Sequence, residues 1–349
     1  MDTLTPAIGE SPEAVRAARS LRVVAIGGGT GLSTLLHGLR EHVAAAASDA
    51  GAGLISDLAA VVSVTDDGGS SGRLRKNFNM LPPGDLRNCM VALSEDEDLL
   101  AHVFNHRFIG GDALKGHNFG NLFVAALTEI TGDFAHAIQL ACRILATRGR
   151  IYPVTTTNAT LVARMDDGSE VRGETNITAS TRHIKELMLD PPDAAPLPET
   201  IEAIGRADLI TVGPGSLYTS LITNLLVRDI PFALANARGV RVYICNLMSE
   251  ANESKGLTAS EHIERIYEHA RAPIFDYALV NTSSFSPETL SRYAAEGAGP
   301  IDPDIDRIEA LGVRVIQGNY AIEDTVVRHA AGRVTEALLK LGRTGSSLK

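Results

Sequence analysis

The chain has 349 residues, 44% of them hydrophobic and 21% charged, with a formal net charge of −10, the balance of a soluble globular protein built as one large domain or two closely packed ones. That charge excludes a global pull toward nucleic acid or an acidic membrane surface, so a phosphorylated ligand has to be held by local groups. Cys89, Cys142 and Cys245 are odd in number, scattered and without a CxxC pair, which argues against a disulfide framework or a zinc site and for small buried hydrophobes.

Residues 1–20 are polar and Ala-rich and lack the apolar segment of a signal peptide; they read as a loosely ordered leader. No apolar run approaches the ~18 residues of a membrane span, so a cytoplasmic protein without membrane insertion is expected. Apolar, β-branched runs then recur as RVVAIG at 22–27, LAAVVSVT at 58–65, ADLITVG at 207–213, RVYICNL at 241–247 and DYALVNT at 276–282. Runs that are apolar nearly throughout fit parallel strands covered on both faces. Helical stripes lie between and after them, at Ile263, Ile266, Tyr267 and Ala270, and at Val327, Ala330, Val334, Ala337 and Leu341. The alternation predicts an α/β fold, a Rossmann-like, three-layer, doubly wound and mostly parallel sheet.

Two stretches depart from this rhythm. Residues 84–147 are helical in pattern, and GNLFVAALTEI, apolar around most of its circumference, predicts a helix buried inside the molecule. At about 150–180 the alternation of NATLVARM, the turn signal Asp167–Gly168 and the return through EVRGETNI predict a small β-hairpin excursion. Residues 44–57 form a low-complexity loop. The expected organisation is a single α/β domain over 21–342 with a 343–349 tail.

Chemistry concentrates in the loops after the strands. Gly27, Gly28, Gly29, Thr30 and Gly31 form a strand-to-helix turn that lets a backbone approach a ligand and aims free N–H groups at an anion; a tight structural turn is the plainer alternative. The third glycine of GxGxxG and the GK[ST] of a P-loop are both missing, so NAD is not expected. The second loop carries Asp66, Asp67, Gly68, Ser70, Ser71 and Arg73, and an acid at the tip of the second strand commonly meets a ribose. The third places Gly213 and Gly215 around Pro214, with Ser216 positioned to cap the next helix. NLMSE and NTSSF end the fourth and fifth strands. Five such loops at the carboxyl ends of the strands predict one ligand crevice. Arg75, Lys76 and Arg87 supply cations nearby, and Asp85 reads as a helix cap. At the head of the buried helix, GHNFGN offers Asn118, Asn121 and His117, the last a structural histidine or a general acid or base.

GGGTGLS, VTDDGGSSGRLR, PPGDLRN, GHNFGN, GPGSLYTS and VYICNLM occur in one order over roughly 25–250. Together they closely resemble the gluconeogenesis factor family (YvcK-like) of the phospholactate transferase-like (CofD-like) superfamily. The resemblance implies a modified Rossmann-type fold, a homo-oligomer such as a dimer, an unidentified partner protein, and binding of a UDP-sugar such as UDP-N-acetylglucosamine. It also implies a need for the protein in cell shape and envelope synthesis on gluconeogenic carbon sources. Tyr293 of SRYAAEG and Arg328 of TVVRHA, the latter in the last helix, match nucleotide-sugar contacts of the family. Where relatives read MTQ followed by GET, this chain has MSEANES, with Glu250 in place of an amide. Two readings follow: a non-catalytic metabolite-binding regulator, or a nucleotide-dependent transferase acting on a deazaflavin acceptor. Under either, Asp66 or Asp67 is the candidate Mg²⁺ ligand.

Overall fold

The structure is a computed structural model that describes residues 20–44 and 53–344; the expected leader up to residue 19, the centre of the low-complexity loop and residues 345–349 lie outside it. Twelve strands run in chain order as β1 (Leu21–Gly27), β2 (Ile55–Val62), β3 (Arg150–Pro153), β4 (Thr160–Met165), β5 (Glu170–Arg172), β6 (Ile184–Asp190), β7 (Leu209–Val212), β8 (Val240–Ile244), β9 (Tyr277–Asn281), β10 (Arg314–Gly318), β11 (Ala321–Ile322) and β12 (Arg328–His329). Seven of them make one sheet in the order β10-β9-β8-β7-β1-β2-β3, parallel throughout. This is the α/β, Rossmann-like sheet the apolar runs predict. Val23, Val24, Ala25 and Ile26 of β1 and all of β7 except Thr211 are buried apolar residues, because helices cover both faces of a parallel sheet.

Six helices matter to the site: α1 (Gly29–Arg40), α2 (Gly69–Phe78), α3 (Gly84–Leu93), α4 (Phe119–Thr131), α5 (Ala259–Ala270) and α6 (Ala331–Thr344). The bottom of the sheet is pinned by two alike devices. Arg22 donates its backbone N–H and its guanidinium to Asp208, and Arg241 does the same to Asp276. Each pair fixes the start of one strand against the strand beside it.

Several expectations change. The 150–180 segment divides, since β3 is the edge strand of the main sheet, and the excursion is instead the antiparallel sheet β5-β4-β6, which extends to Asp190. The turn at Asp167–Gly168 stands, but GETNI enters a helix at Glu174–Ala179. Helix α4 is amphipathic, not buried all round: Val124, Ala125 and Leu127 face the core while Ile130 is 76% exposed. The final helix starts at Ala331, so Val327 and Arg328 precede it. The three cysteines are free and buried, as expected of small hydrophobes. Among the described residues no helix is long and apolar enough to cross a membrane.

Candidate functional site

The sheet order reverses between β1 and β7, where the loops after those strands open side by side; such a switch point is where open α/β sheets hold ligands. Gly28 is extended, and Gly29, at φ +64°, turns the chain into α1. Gly31 lies against the third loop so closely that a Cβ there would stand 2.5 Å from the Pro214 carbonyl oxygen. Two amides tie the neighbouring segments together, Asn224 from the helix after the third loop and Asn246 from the loop after β8. Asn224 donates to the Gly27 carbonyl at 3.1 Å, and Asn246 donates to the Gly215 carbonyl at 2.8 Å.

A cavity of about 290 Å³ results, walled by Gly28, Thr30, Gly215, Ser216, Glu250 and His329 among others. The N–H groups of Thr30 and Gly31 belong to the first helical turn and have no intrahelical acceptor, so they suit an anion. Tyr293 closes the cavity from the helix Pro287–Ala295, its hydroxyl accepting the Val327 N–H at 2.9 Å. Val326 and Val327 complete that wall. His329 donates from Nε2 to the Cys245 carbonyl at 3.1 Å; burial pushes its pKa down to about 4, which keeps the ring neutral and Nδ1 an acceptor. Among the described residues the cavity wall therefore holds no permanently charged cation and one carboxylate, Glu250.

Ser216 does not cap the next helix. Its hydroxyl donates to Glu250 Oε1 at 2.9 Å, and the π-helical turn Leu217–Ile222 is capped instead by buried Glu253, which accepts from the Thr219 hydroxyl at 2.9 Å and the Tyr218 N–H at 3.3 Å. Burial raises the Glu250 carboxyl, and burial together with the neighbouring Glu250 charge pushes Glu253 up to about 7.

A second chamber of about 320 Å³ adjoins the first through Asn246 and Leu247. Val280, Phe285, Leu290 and Ile301 give it apolar walls, and Thr282 and Ser283 from the loop after β9 add hydroxyls.

The second glycine-rich loop lines neither chamber, and it approaches the first from behind, by way of Asp85. Ser70 meets His117 Nδ1 at 3.2 Å and accepts the Asn118 N–H at 3.2 Å; Asn121 donates to Ser71 at 3.4 Å, and Arg73 to the Lys115 carbonyl at 2.8 Å. These residues knit α2 to α4, and His117 serves that network. Asp66 accepts the Gly68 N–H at 2.9 Å, whereas Asp67 is taken up by the N–H and hydroxyl of Thr175 at 2.8 and 2.6 Å. Gly27 and Gly213 sit behind the cavity at the strand ends, joined through the Gly213 N–H and the Ile26 carbonyl at 2.9 Å. Arg328 lies exposed on β12, outside the helix assigned to it, while its neighbours Val327 and His329 line the cavity.

Asp85 links the two regions. Rather than capping α3, it accepts the Gly29 N–H at 2.8 Å; desolvation, with Asp66 adding, pushes its carboxyl up to about 6. Glu174, bonded to the Thr65 hydroxyl at 2.9 Å, is raised well above the usual range by desolvation and by the Asp66 and Asp85 charges. Among the described residues no three His, Cys, Asp or Glu side chains are grouped to hold a metal ion.

Residues 23–321 match the family model described as 2-phospho-L-lactate transferase CofD. The chain belongs to the CofD family. Within it, the chain is 44% identical over 329 residues to the gluconeogenesis factor of Halalkalibacterium halodurans, covering 94% of this chain and 98% of that one. The gluconeogenesis factor of Bacillus subtilis is 41% identical over 321 residues, covering 92% and 98%. A crystal structure of a Bacillus halodurans protein superimposes with a TM-score of 0.86 at 43% identity, over 92% of this chain and 100% of that one. In this CofD-family chain, sequence reasoning missed Asn246 and His329 as cavity residues, and it took Asp85 for a cap. NLMSE did advertise hydrogen-bonding side chains, but nothing local in TVVRHA distinguishes His329 from Arg328.

Proposed function

We propose that this protein is a nucleotide-sugar-binding regulator of the gluconeogenesis factor kind, with a UDP-sugar spanning the two chambers. The observation that carries the reading is their adjacency: a glycine-walled cavity at a helix N-terminus shares Asn246 and Leu247 with an apolar-walled one. The diphosphate then lies on the N–H groups of Thr30, Gly31 and Ser216, and the nucleoside takes the larger chamber. Tyr293 closes over the ligand, and Arg328, at the rim, supplies the cation that the cavity wall lacks.

Mg²⁺ is part of the proposal in a narrower form. Asp66 stands near Asp85, which holds Gly29, and this supports Asp66 over Asp67 as the acid that meets a phosphate-bound ion, since Mg²⁺ takes one or two carboxylates and substrate oxygens. The regulator acts as a homo-oligomer on a partner protein. Calorimetric titration with UDP-N-acetylglucosamine, with and without Mg²⁺ and beside GDP and NAD, tests the reading. Saturable binding of the uridine sugar without its consumption supports it. Preference for the guanine nucleotide, or turnover of any ligand, would transfer the site to the phospholactate-type transferase reading.

A further inference from the structure

A cavity of about 410 Å³ runs along β6 and borders neither chamber described above. Among the described residues strand β6 pairs only with β4 in its sheet, and no strand lies along its other edge. The Leu187 N–H points from that edge and is accepted by His269 Nε2 at 3.0 Å. His269 Nδ1 stands 2.7 Å from the Arg265 carbonyl, so Nδ1 carries the proton and Nε2 is free to accept. A side chain of α5 thus does the work of a missing strand at one rung. In an antiparallel ladder the N–H and C=O of a residue point the same way and alternate residues repeat the direction. The Leu187 carbonyl and the Leu189 N–H therefore face the cavity too.

The rim has a charge bias. Glu186 is paired with Arg164 at 2.7 Å and Glu268 with Arg265 at 2.8 Å. Lys185 and Arg271 also line the cavity, both are exposed, and neither makes an ion pair among the described residues. Two unopposed cations thus flank an open strand edge on a protein whose formal net charge is −10. Met188, Pro192 and Leu226 give the floor its apolar part. A small anion would use the cations and leave the strand edge idle. An extended peptide uses both, because main-chain bonds supply affinity and alternate side chains reach the flanking pockets.

We propose that this groove receives an extended acidic segment of a partner protein as an added strand on β6, its main chain pairing along Leu187–Leu189 and its carboxylates meeting Lys185 and Arg271. His269 holds the edge in the free protein and yields the Leu187 N–H to the incoming carbonyl. Such a cover also protects an edge strand from unwanted pairing.

The test starts from random extended peptides displayed on phage and selected against the intact protein, with the enriched sequences then synthesised. Enriched peptides should be rich in Asp and Glu between apolar residues, protect the Leu187 and Leu189 amides from hydrogen exchange, and lose binding when their own backbone is N-methylated. The double charge reversal Lys185→Glu, Arg271→Glu, at two exposed positions, should weaken them by roughly tenfold or more. His269→Ala should act in the opposite direction and tighten them, since it frees the Leu187 N–H; unchanged circular dichroism shows that both variants fold. The proposal falls if no peptide is enriched, or if binding ignores both variants. It falls as well if inorganic phosphate displaces the peptides and protects neither amide, or if the charge reversal lowers the mass of the protein in solution, which would make a second copy the occupant.

Discussion

The carboxylate of Asp85 accepts the backbone N–H of Gly29 at 2.8 Å, so an acid from α3 holds the first donor of the glycine-rich turn. The arrangement fixes the loop and leaves the N–H groups of Thr30 and Gly31 to a ligand, but it keeps a carboxyl in a desolvated place near Asp66. An acid whose folded pKa of about 6 stands above its ordinary 3.8 adds stability that is complete below about 3.8 and lost as pH rises through about 6. Asp85→Asn keeps an acceptor for Gly29 and removes that dependence. Thermal melts between pH 4 and 8 should show the variant losing less stability than the parent as pH rises, and melting higher at pH 7.5 by roughly 2 °C or more. Parallel curves would show that Asp85 is not the titrating group.

Gly31→Ala should cost on the order of 1–3 kcal/mol, because its Cβ would meet a backbone carbonyl that has no rotamer to yield. Since that contact joins the two loops of the cavity, ligand affinity should fall with it. Denaturant titration reads the first effect and calorimetry with the UDP-sugar reads the second.

For Glu250 the expected signature is a pH dependence of binding. Burial raises the Glu250 carboxyl, with Glu253 raised beside it, so a diphosphate entering beside Glu250 meets a more charged wall as pH rises over the range in which Glu250 ionises. Affinity should decline across that range in the parent and stay nearly level in Glu250→Gln. A parent whose affinity is flat would remove Glu250 from the phosphate's surroundings.

Tyr293→Phe leaves the Val327 N–H without its acceptor and should cost about 1 kcal/mol while loosening the wall that carries Val326 and His329. Arg328→Ala, at an exposed position, should leave the melting temperature unchanged and abolish binding of the UDP-sugar. Comparing the two variants by melting and by calorimetry separates a residue that holds the wall from one that holds the ligand; an Arg328→Ala protein that binds as tightly as the parent ends the clamp role.

The paired arginines at the bottom of the sheet offer a test of the scaffold. The Arg241 and Asp276 side chains are 14% and 20% exposed, against 36% and 18% for Arg22 and Asp208. Screening by water weakens the more exposed pair. Arg241→Ala should therefore destabilise by about 2 kcal/mol and by more than Arg22→Ala does, as read from chemical denaturation.

The sequence by itself determined the parallel sheet, since the runs that became β1, β7, β8 and β9 are apolar on both faces and only a doubly covered sheet buries them so. It also determined where the turns bend, because Gly29 at φ +64° and Gly213 at φ +93° hold conformations that glycine adopts at little cost. The short strands β3 and β10 were not legible: four and five residues of mixed polarity become strands only through the neighbours they pair with. The site divided in the same way. Its glycine loops could be read, but not which of them share a cavity: β1 lies between β7 and β2, and it is the loop after β7, packed against Gly31, that shares the cavity with the Gly28–Gly31 turn. Asp85 reaches that turn across 56 residues of chain, and Asn246, Glu250 and His329 join its cavity from farther still. Only tertiary packing decides such meetings, because local patterning carries no record of which distant side chain will satisfy a given backbone donor.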